Sequence, residues 1–109
     1  MAALLEHSAR LAGAEGMSFE TIVAGGLRSA LPHGHATAQR LPRKGFLTLD
    51  FGIILKGYCS DMTRTVYLGQ PTRQERFTYD SVLEAQQAAV KAVKPGVSCG
   101  CLLYTSRCV

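Results

Sequence analysis

The 109-residue sequence has no tryptophan, only four prolines and no long hydrophobic run. No stretch approaches the roughly 20 apolar residues that a membrane-spanning helix needs, so we expect no transmembrane segment. The segment Met1–His7 contains an acidic residue and lacks a basic start, which disfavours a secretory leader. We therefore expect a cytoplasmic protein that does not bind membranes.

The sequence also lacks a strong excess of charge of either sign. Twelve lysines and arginines against eight acidic residues give a formal net charge of +4, and the basic residues never form a dense run. Nucleic-acid binding is therefore not expected. With 47% apolar and 18% charged residues, the chain has the composition of one small folded domain rather than of a disordered segment.

Cysteines are few and unevenly placed, because three of the four fall in the last eleven residues. A secreted disulfide scaffold would spread its cysteines along the chain, and Cys99 and Cys101 are too close for an easy bridge. Cys59 stands alone in the middle of the sequence. This distribution indicates reduced thiols rather than a disulfide framework.

The last nine residues, 101–109, are typical of a non-native tail. The DNA sequence TAC ACA TCT AGA TGT GTA would encode Tyr104–Val109 and is its own reverse complement, as expected for two sequencing-adaptor ends joined together. We interpret residues 101–109 as adaptor-derived and residues 1–100 as the natural domain. The alternative is a short native strand around Leu-Leu-Tyr.

Two segments have the features of helices. The apolar spacing of residues 2–11 predicts a first helix, which Gly13 ends. A second helix is predicted to begin at Thr72, because Thr72 and Glu75 have the spacing of a capping box. Lys-Pro-Gly at residues 94–96 ends that helix.

Three segments between the helices are rich in β-branched and aromatic residues and predict strands at 19–24, 46–54 and 58–68. Helix, strands and helix in this order predict an α+β fold. We expect a mostly antiparallel sheet with the helices packed on one face.

Two aspartates lie on the two longest predicted strands. In a hairpin that turns around Leu55 and Lys56, Asp50 would directly face Asp61. This register separates a polar face from an apolar face, which supports it, because a one-residue slip would mix the two. The polar face then carries Thr48, Asp50, Gly52, Cys59, Asp61, Thr63 and Thr65.

Two carboxylates in that position need compensation. Directly opposed side chains have Cβ atoms about 4.5–5.5 Å apart, and like charges there are destabilising. A divalent cation held by both aspartates would compensate, with Thr63 as a possible hydroxyl donor to a carboxylate. Two alternatives remain: Arg64 or Lys56 neutralises the pair, or the strands pair differently and the aspartates do not meet.

Four segments, two of which contain Asp50 and Asp61, resemble the catalytic domain of the M24 metallopeptidases. The resemblance is greatest to the Xaa-Pro aminopeptidase and Xaa-Pro dipeptidase branch of that family. The resemblance extends over nearly all of residues 2–100. It implies the first half of a pita-bread fold, an α+β fold in which two similar halves enclose two metal ions. The segments are Gly13–Ala24, Ser29–Gly34, Leu47–Gly52 and Gly57–Thr65.

The resemblance implies a role for three residues. Asp50 matches the aspartate that chelates one metal, Asp61 the aspartate that bridges both, and His33 the histidine that contacts substrate. It further implies two divalent ions, with Mn²⁺ favoured over Co²⁺ or Zn²⁺. A hydroxide activated by both ions would cleave peptides that have proline in the second position, in an enzyme that is commonly a homo-oligomer.

The chain also departs from the family pattern. The family completes its metal site with one histidine and two glutamates from the second half, and these have no counterpart here. We therefore expect a gene fragment that is inactive alone. The alternatives are a non-catalytic pita-bread module that binds proteins, or another M24 hydrolase of the methionine aminopeptidase or creatinase type. His35 is expected to be a loop residue.

Overall fold

The computed structural model describes residues 1–100, and the predicted tail at 101–109 lies outside the described residues. The chain divides into two compact units between Gln70 and Pro71. Helices and strands follow one another as α1 (Ala2–Leu11), β1 (Gly16–Met17), β2 (Ile22–Gly25), a 3-10 helix (Gly26–Ala30), β3 (Gly45–Phe51), β4 (Ile53–Leu55), β5 (Tyr58–Cys59), β6 (Met62–Leu68) and α2 (Arg73–Ala92).

Both predicted helices are confirmed. Helix α1 has the predicted bounds, and α2 follows its N-cap Thr72. The capping box is complete: the Glu75 amide donates to Thr72 Oγ1 over 3.2 Å, and the Thr72 amide donates to Glu75 Oε2 over 2.7 Å. Within residues 1–100, neither helix combines the length and the apolar content needed to cross a bilayer.

The strands form two antiparallel sheets, ordered β1-β4-β5 and β2-β3-β6. Strand β3 lies at the centre of the second sheet, paired with β2 on one side and with β6 on the other. The buried apolar residues are Ile22, Val23 and Ala24 of β2 and Leu47 of β3. Three consecutive buried residues mean that β2 is covered on both faces, since successive side chains alternate.

Each arm of the predicted hairpin is interrupted, and the interruption separates the two sheets. Gly52 divides β3 from β4, and Ser60 and Asp61 divide β5 from β6. The cause is Ser60, whose hydroxyl replaces its carbonyl as the acceptor for the Ile53 amide, at 3.0 Å. The Ser60 amide still donates to the Ile53 carbonyl over 2.8 Å, so the two arms remain joined there.

The turn of the hairpin was predicted one residue too early. It consists of Lys56 and Gly57, both with positive φ, at 51° and 75°. Positive φ at both central residues is the signature of a type I′ turn, whose twist matches that of the flanking strands. Glu15 stabilises the turn, because its carboxylate accepts from the Lys56 amide at 2.7 Å and from the Gly57 amide at 3.4 Å.

Lys56→Asn should increase the free energy of unfolding by about 0.5 kcal/mol, because asparagine tolerates the left-handed conformation better than lysine does. Urea denaturation of the 109-residue protein would measure the change. Lys56→Gln is the matched control, since it removes the same charge without this backbone preference. Equal stabilisation by both variants would show that charge, and not the backbone, explains the effect.

Candidate metal centre

Asp50 occupies the central strand β3, where residues on both neighbouring strands restrain it. Its backbone pairs with Ile22 of β2 on one side and with Thr63 of β6 on the other. The Thr63 hydroxyl donates to Asp50 Oδ1 over 2.9 Å, which confirms the predicted donor. One carboxylate oxygen is thereby oriented in the sheet, and Asp50 is half-buried.

The predicted direct pairing of Asp50 with Asp61 is wrong. Asp50 pairs with Thr63, and Ile54 pairs with Cys59 rather than with Gly57, so the register differs by two residues. The reason is the turn at Lys56 and Gly57. A shift of two preserves the faces, because side chains alternate with a period of two. The division into a polar and an apolar face therefore holds in the wrong register as well as in the right one.

The same register holds on both sides of the interruption, which places Asp61 opposite Gly52. Asp61 is then a diagonal neighbour of Asp50 and not a direct one. Diagonal neighbours in an antiparallel pair lie about 7–8 Å apart, compared with about 4.5–5.5 Å between directly opposed side chains. Asp61 is exposed and directly precedes β6.

Close contacts among Ser18, Gly52 and Ser60, here called the crossing, fix the backbone next to Asp61. The Ser18 hydroxyl donates to the Ser60 carbonyl oxygen over 2.7 Å, and the Ser18 amide donates to the Gly52 carbonyl over 3.0 Å. Gly52 is buried, and a Cβ at this position would overlap both the Ser60 carbonyl oxygen and Ser18 Oγ. The residue opposite Asp61 is therefore restricted to glycine by close packing.

The alternative of neutralisation by a basic side chain is not supported. Over residues 1–100, no ion pair joins Arg64 or Lys56 to either aspartate. The Arg64 guanidinium instead donates to the Thr63 carbonyl over 2.9 Å. Asp50 on β3 and Asp61 directly before β6 are two carboxylates without a basic partner among residues 1–100, and carboxylate oxygens are ligands that suit a hard divalent cation.

His33 lies apart from these carboxylates in the chain, in a turn between the 3-10 helix and β3, and is exposed. His33 does not form a ligand cluster with Asp50 and Asp61. The described part of the chain contains no group of three or more His, Cys, Asp or Glu residues that could hold a metal. Gly34 beside it is buried, and a Cβ there would lie 2.7 Å from Ala24 Cβ.

The sequence did not predict the contacts of His35, which was expected to be a simple loop residue. Its backbone forms an isolated antiparallel bridge with Ile22, and its Nδ1 lies 3.2 Å from Glu20 Oε2. No local pattern could have indicated this, because the partners are 13 and 15 residues away. Ser60 was more accessible to prediction, since a serine hydroxyl inside a strand can replace a backbone carbonyl as the acceptor for a ladder amide.

The chain resembles known peptidases over nearly its whole length. The sequence model of metallopeptidase family M24 matches residues 1–107. An Xaa-Pro dipeptidase from Pyrococcus furiosus is 45% identical over 98 residues, which are 90% of this chain and 28% of the dipeptidase. An Xaa-Pro dipeptidase from Pyrococcus horikoshii is 43% identical over 98 residues, with the same coverage.

Solved structures agree with these relatives. A prolidase from Pyrococcus furiosus superposes with a TM-score of 0.94 at 43% identity, over 97% of this chain and 32% of that one. An X-Pro aminopeptidase from Thermotoga maritima gives 0.92 at 45% identity, over 97% and 30%. The predicted α+β fold of the pita-bread type is confirmed. The chain spans less than a third of the length of these proteins.

Proposed function

Because the chain belongs to metallopeptidase family M24, we propose that it forms part of an enzyme that hydrolyses dipeptides with proline in the second position. The relatives named Xaa-Pro dipeptidase and prolidase support this substrate class. The observation that carries the proposal is the position of Asp50 on β3 and of Asp61 directly before the facing strand β6, two carboxylates with no basic partner among the described residues.

Asp50 and Asp61 would hold divalent metal ions, two of them in the complete site, with Asp61 shared between both. Their oxygen donors suit Mn²⁺, and Co²⁺ or Zn²⁺ would be the substitutes. When bound, such ions polarise the scissile carbonyl and lower the pKa of water. Thr63 contributes by fixing Asp50 Oδ1, so that the rest of the carboxylate faces a ligand with little loss of side-chain freedom.

His33 would contact the substrate. Its position at a turn leaves the imidazole exposed, while the buried Gly34 anchors the backbone against Ala24. A donor on a fixed backbone can stabilise negative charge that develops on the substrate carbonyl oxygen. We assign the remaining metal ligands and the homo-oligomeric contacts to a longer protein of which this chain forms part, and we propose a cytoplasmic location for it. Residues 101–109 are proposed to be a non-native tail.

The 109-residue protein should bind Mn²⁺ but release no proline from Ala-Pro above the uncatalysed rate, because two carboxylates do not complete the site. Measurement of proline release with and without Mn²⁺ tests this. Robust turnover by the purified chain would contradict the proposal that a further part is required.

A chimera tests the activity itself. Residues of this chain would replace the matching 98-residue segment of the Pyrococcus furiosus Xaa-Pro dipeptidase. We expect the chimera to hydrolyse Ala-Pro and to lose this activity on Asp50→Asn, while Asp80→Asn on helix α2 leaves it unchanged. A folded chimera that cleaves N-terminal methionine instead would support another M24 hydrolase. A folded chimera that cleaves no peptide would support the binding module.

A further inference from the structure

His35 occupies one row of residues across the sheet with the proposed metal centre. Ile22 bridges to His35 on one side and pairs with Asp50 on the other, and Asp50 pairs with Thr63. Directly paired residues of antiparallel strands present their side chains on the same face. His35 therefore lies on the carboxylate face, two strand spacings, or about 10 Å, from Asp50.

The backbone of His35 is joined directly to that of His33. The His35 amide donates to the His33 carbonyl over 2.9 Å, which closes a tight turn around Gly34. Gly34 fits this turn because it packs against Ala24 and against the Arg28 carbonyl oxygen, where a Cβ would lie only 3.1 Å away. Movement of His35 away from β2 would therefore move His33 with it.

Two side chains hold His35 in place from either side. Glu20 Oε2 lies 3.2 Å from His35 Nδ1, and Arg28 Nη2 donates to the His35 carbonyl over 2.8 Å. Glu20 precedes β2 by two residues, and Arg28 belongs to the 3-10 helix that follows it. The bridge thus joins His35 to β2, the most buried strand of the sheet, and the Glu20 and Arg28 contacts join it to the segments that precede and follow that strand.

We propose that His35 is a positioning residue, which fixes the His33 loop to β2 and thereby to the row that contains Asp50. The part of the proposal that concerns catalysis rests on the substrate role proposed for His33. His35 itself touches neither aspartate and is not assigned a ligand. Its imidazole acts through Glu20, and its main chain acts through His33.

NMR of the isotope-labelled 109-residue protein at pH 7, without metal or substrate, tests the positioning role. The readouts are hydrogen exchange of the His35 amide, which reports the bond to the His33 carbonyl, and the ring Cε1–Hε1 signal of His33. His35→Val removes the imidazole contact with Glu20 and should accelerate exchange by about twofold to fivefold, as expected for loss of an exposed pair. The His33 ring signal should shift as well.

Conservative variants separate the contact from general packing. In His35→Asn the side-chain amide nitrogen occupies the place of Nδ1, so wild-type exchange should be restored. Glu20→Ala should reproduce His35→Val, and Glu20→Gln should not. His7→Asn on helix α1 is the control for the loss of an exposed imidazole. Should His35→Val fail to fold, Glu20→Ala alone tests the same contact.

Unchanged exchange and an unchanged His33 signal in both His35→Val and Glu20→Ala would overturn the proposal. So would equal disruption by His35→Val and His35→Asn, since the polar contact with Glu20 would then be irrelevant. These outcomes are independent of the proposed function. If the exchange results agree with expectation but neither aspartate binds Mn²⁺, the metal centre is wrong and the positioning role of His35 stands.

Discussion

Gly52→Ala should lower the midpoint of thermal unfolding by about 10–20 °C, which corresponds to about 2–3 kcal/mol for a domain of this size. The added Cβ would overlap the Ser60 carbonyl oxygen and Ser18 Oγ. Neither atom can move freely, because the two are hydrogen-bonded to each other and Ser60 is bonded to Ile53 through both its amide and its hydroxyl. Relief of the overlap requires separation of the two hairpin arms.

Gly16→Ala is the matched control, because the same methyl group would there lie 3.8 Å from Ile54 Cδ1, an ordinary contact distance. Its φ is not positive either, so no backbone strain arises. We expect a change of less than about 3 °C for this variant. Comparable losses in both variants would mean that glycine is needed in these strands for flexibility and not for close packing at the crossing.

The hairpin shows how far alternation in the sequence determines a structure. Period-two alternation assigned Asp50 and Thr63 to one face, and the hydrogen bond between them confirms the assignment. It could not determine the register, because every even shift gives the same faces. The turn chemistry contained the missing information: Gly57 tolerates positive φ, whereas a turn at Leu55 and Lys56 would place two non-glycine residues in that region.

The interruption of the two arms depends on contacts that sequence patterns do not carry. Ser60 is bonded to Ser18, 42 residues earlier, and Glu15 is bonded to the turn at Lys56 over a similar separation. Strand β1, with only two residues, forms because these contacts bring it beside β4. Local propensity predicts none of this, since a two-residue strand has no periodicity.

The residues of the candidate site differ in how far the sequence alone could predict them. Asp50 and Asp61 were proposed as ligands from their spacing, and their predicted direct opposition is wrong. His33 came only from family resemblance, because an exposed histidine in a Pro-His-Gly turn has no distinguishing pattern. The link from His35 through Ile22 to Asp50 exists only in the folded sheet, where three segments distant in sequence form one row.

Asp50→Asn and Asp61→Asn should each weaken Mn²⁺ binding to the 109-residue protein by at least about tenfold, because each removes one anionic oxygen ligand. Asparagine preserves shape at both positions. At Asp50 its amide oxygen can still accept the hydrogen bond from Thr63, so the sheet should remain intact. Free Mn²⁺ measured by electron paramagnetic resonance during titration gives the dissociation constants.

Stability without metal distinguishes loss of a ligand from damage to the fold. Each substitution removes one of two like charges on a diagonal, whose repulsion in the absence of an ion is weak, so the metal-free unfolding midpoint should be unchanged or slightly higher. Asp80→Asn on α2 provides the control, since its partner Arg76 is an exposed helix neighbour at 3.7 Å. An Asp61→Asn variant with wild-type Mn²⁺ affinity would mean that the diagonal separation is too large for a shared ion, and Asp50 would then bind metal without Asp61.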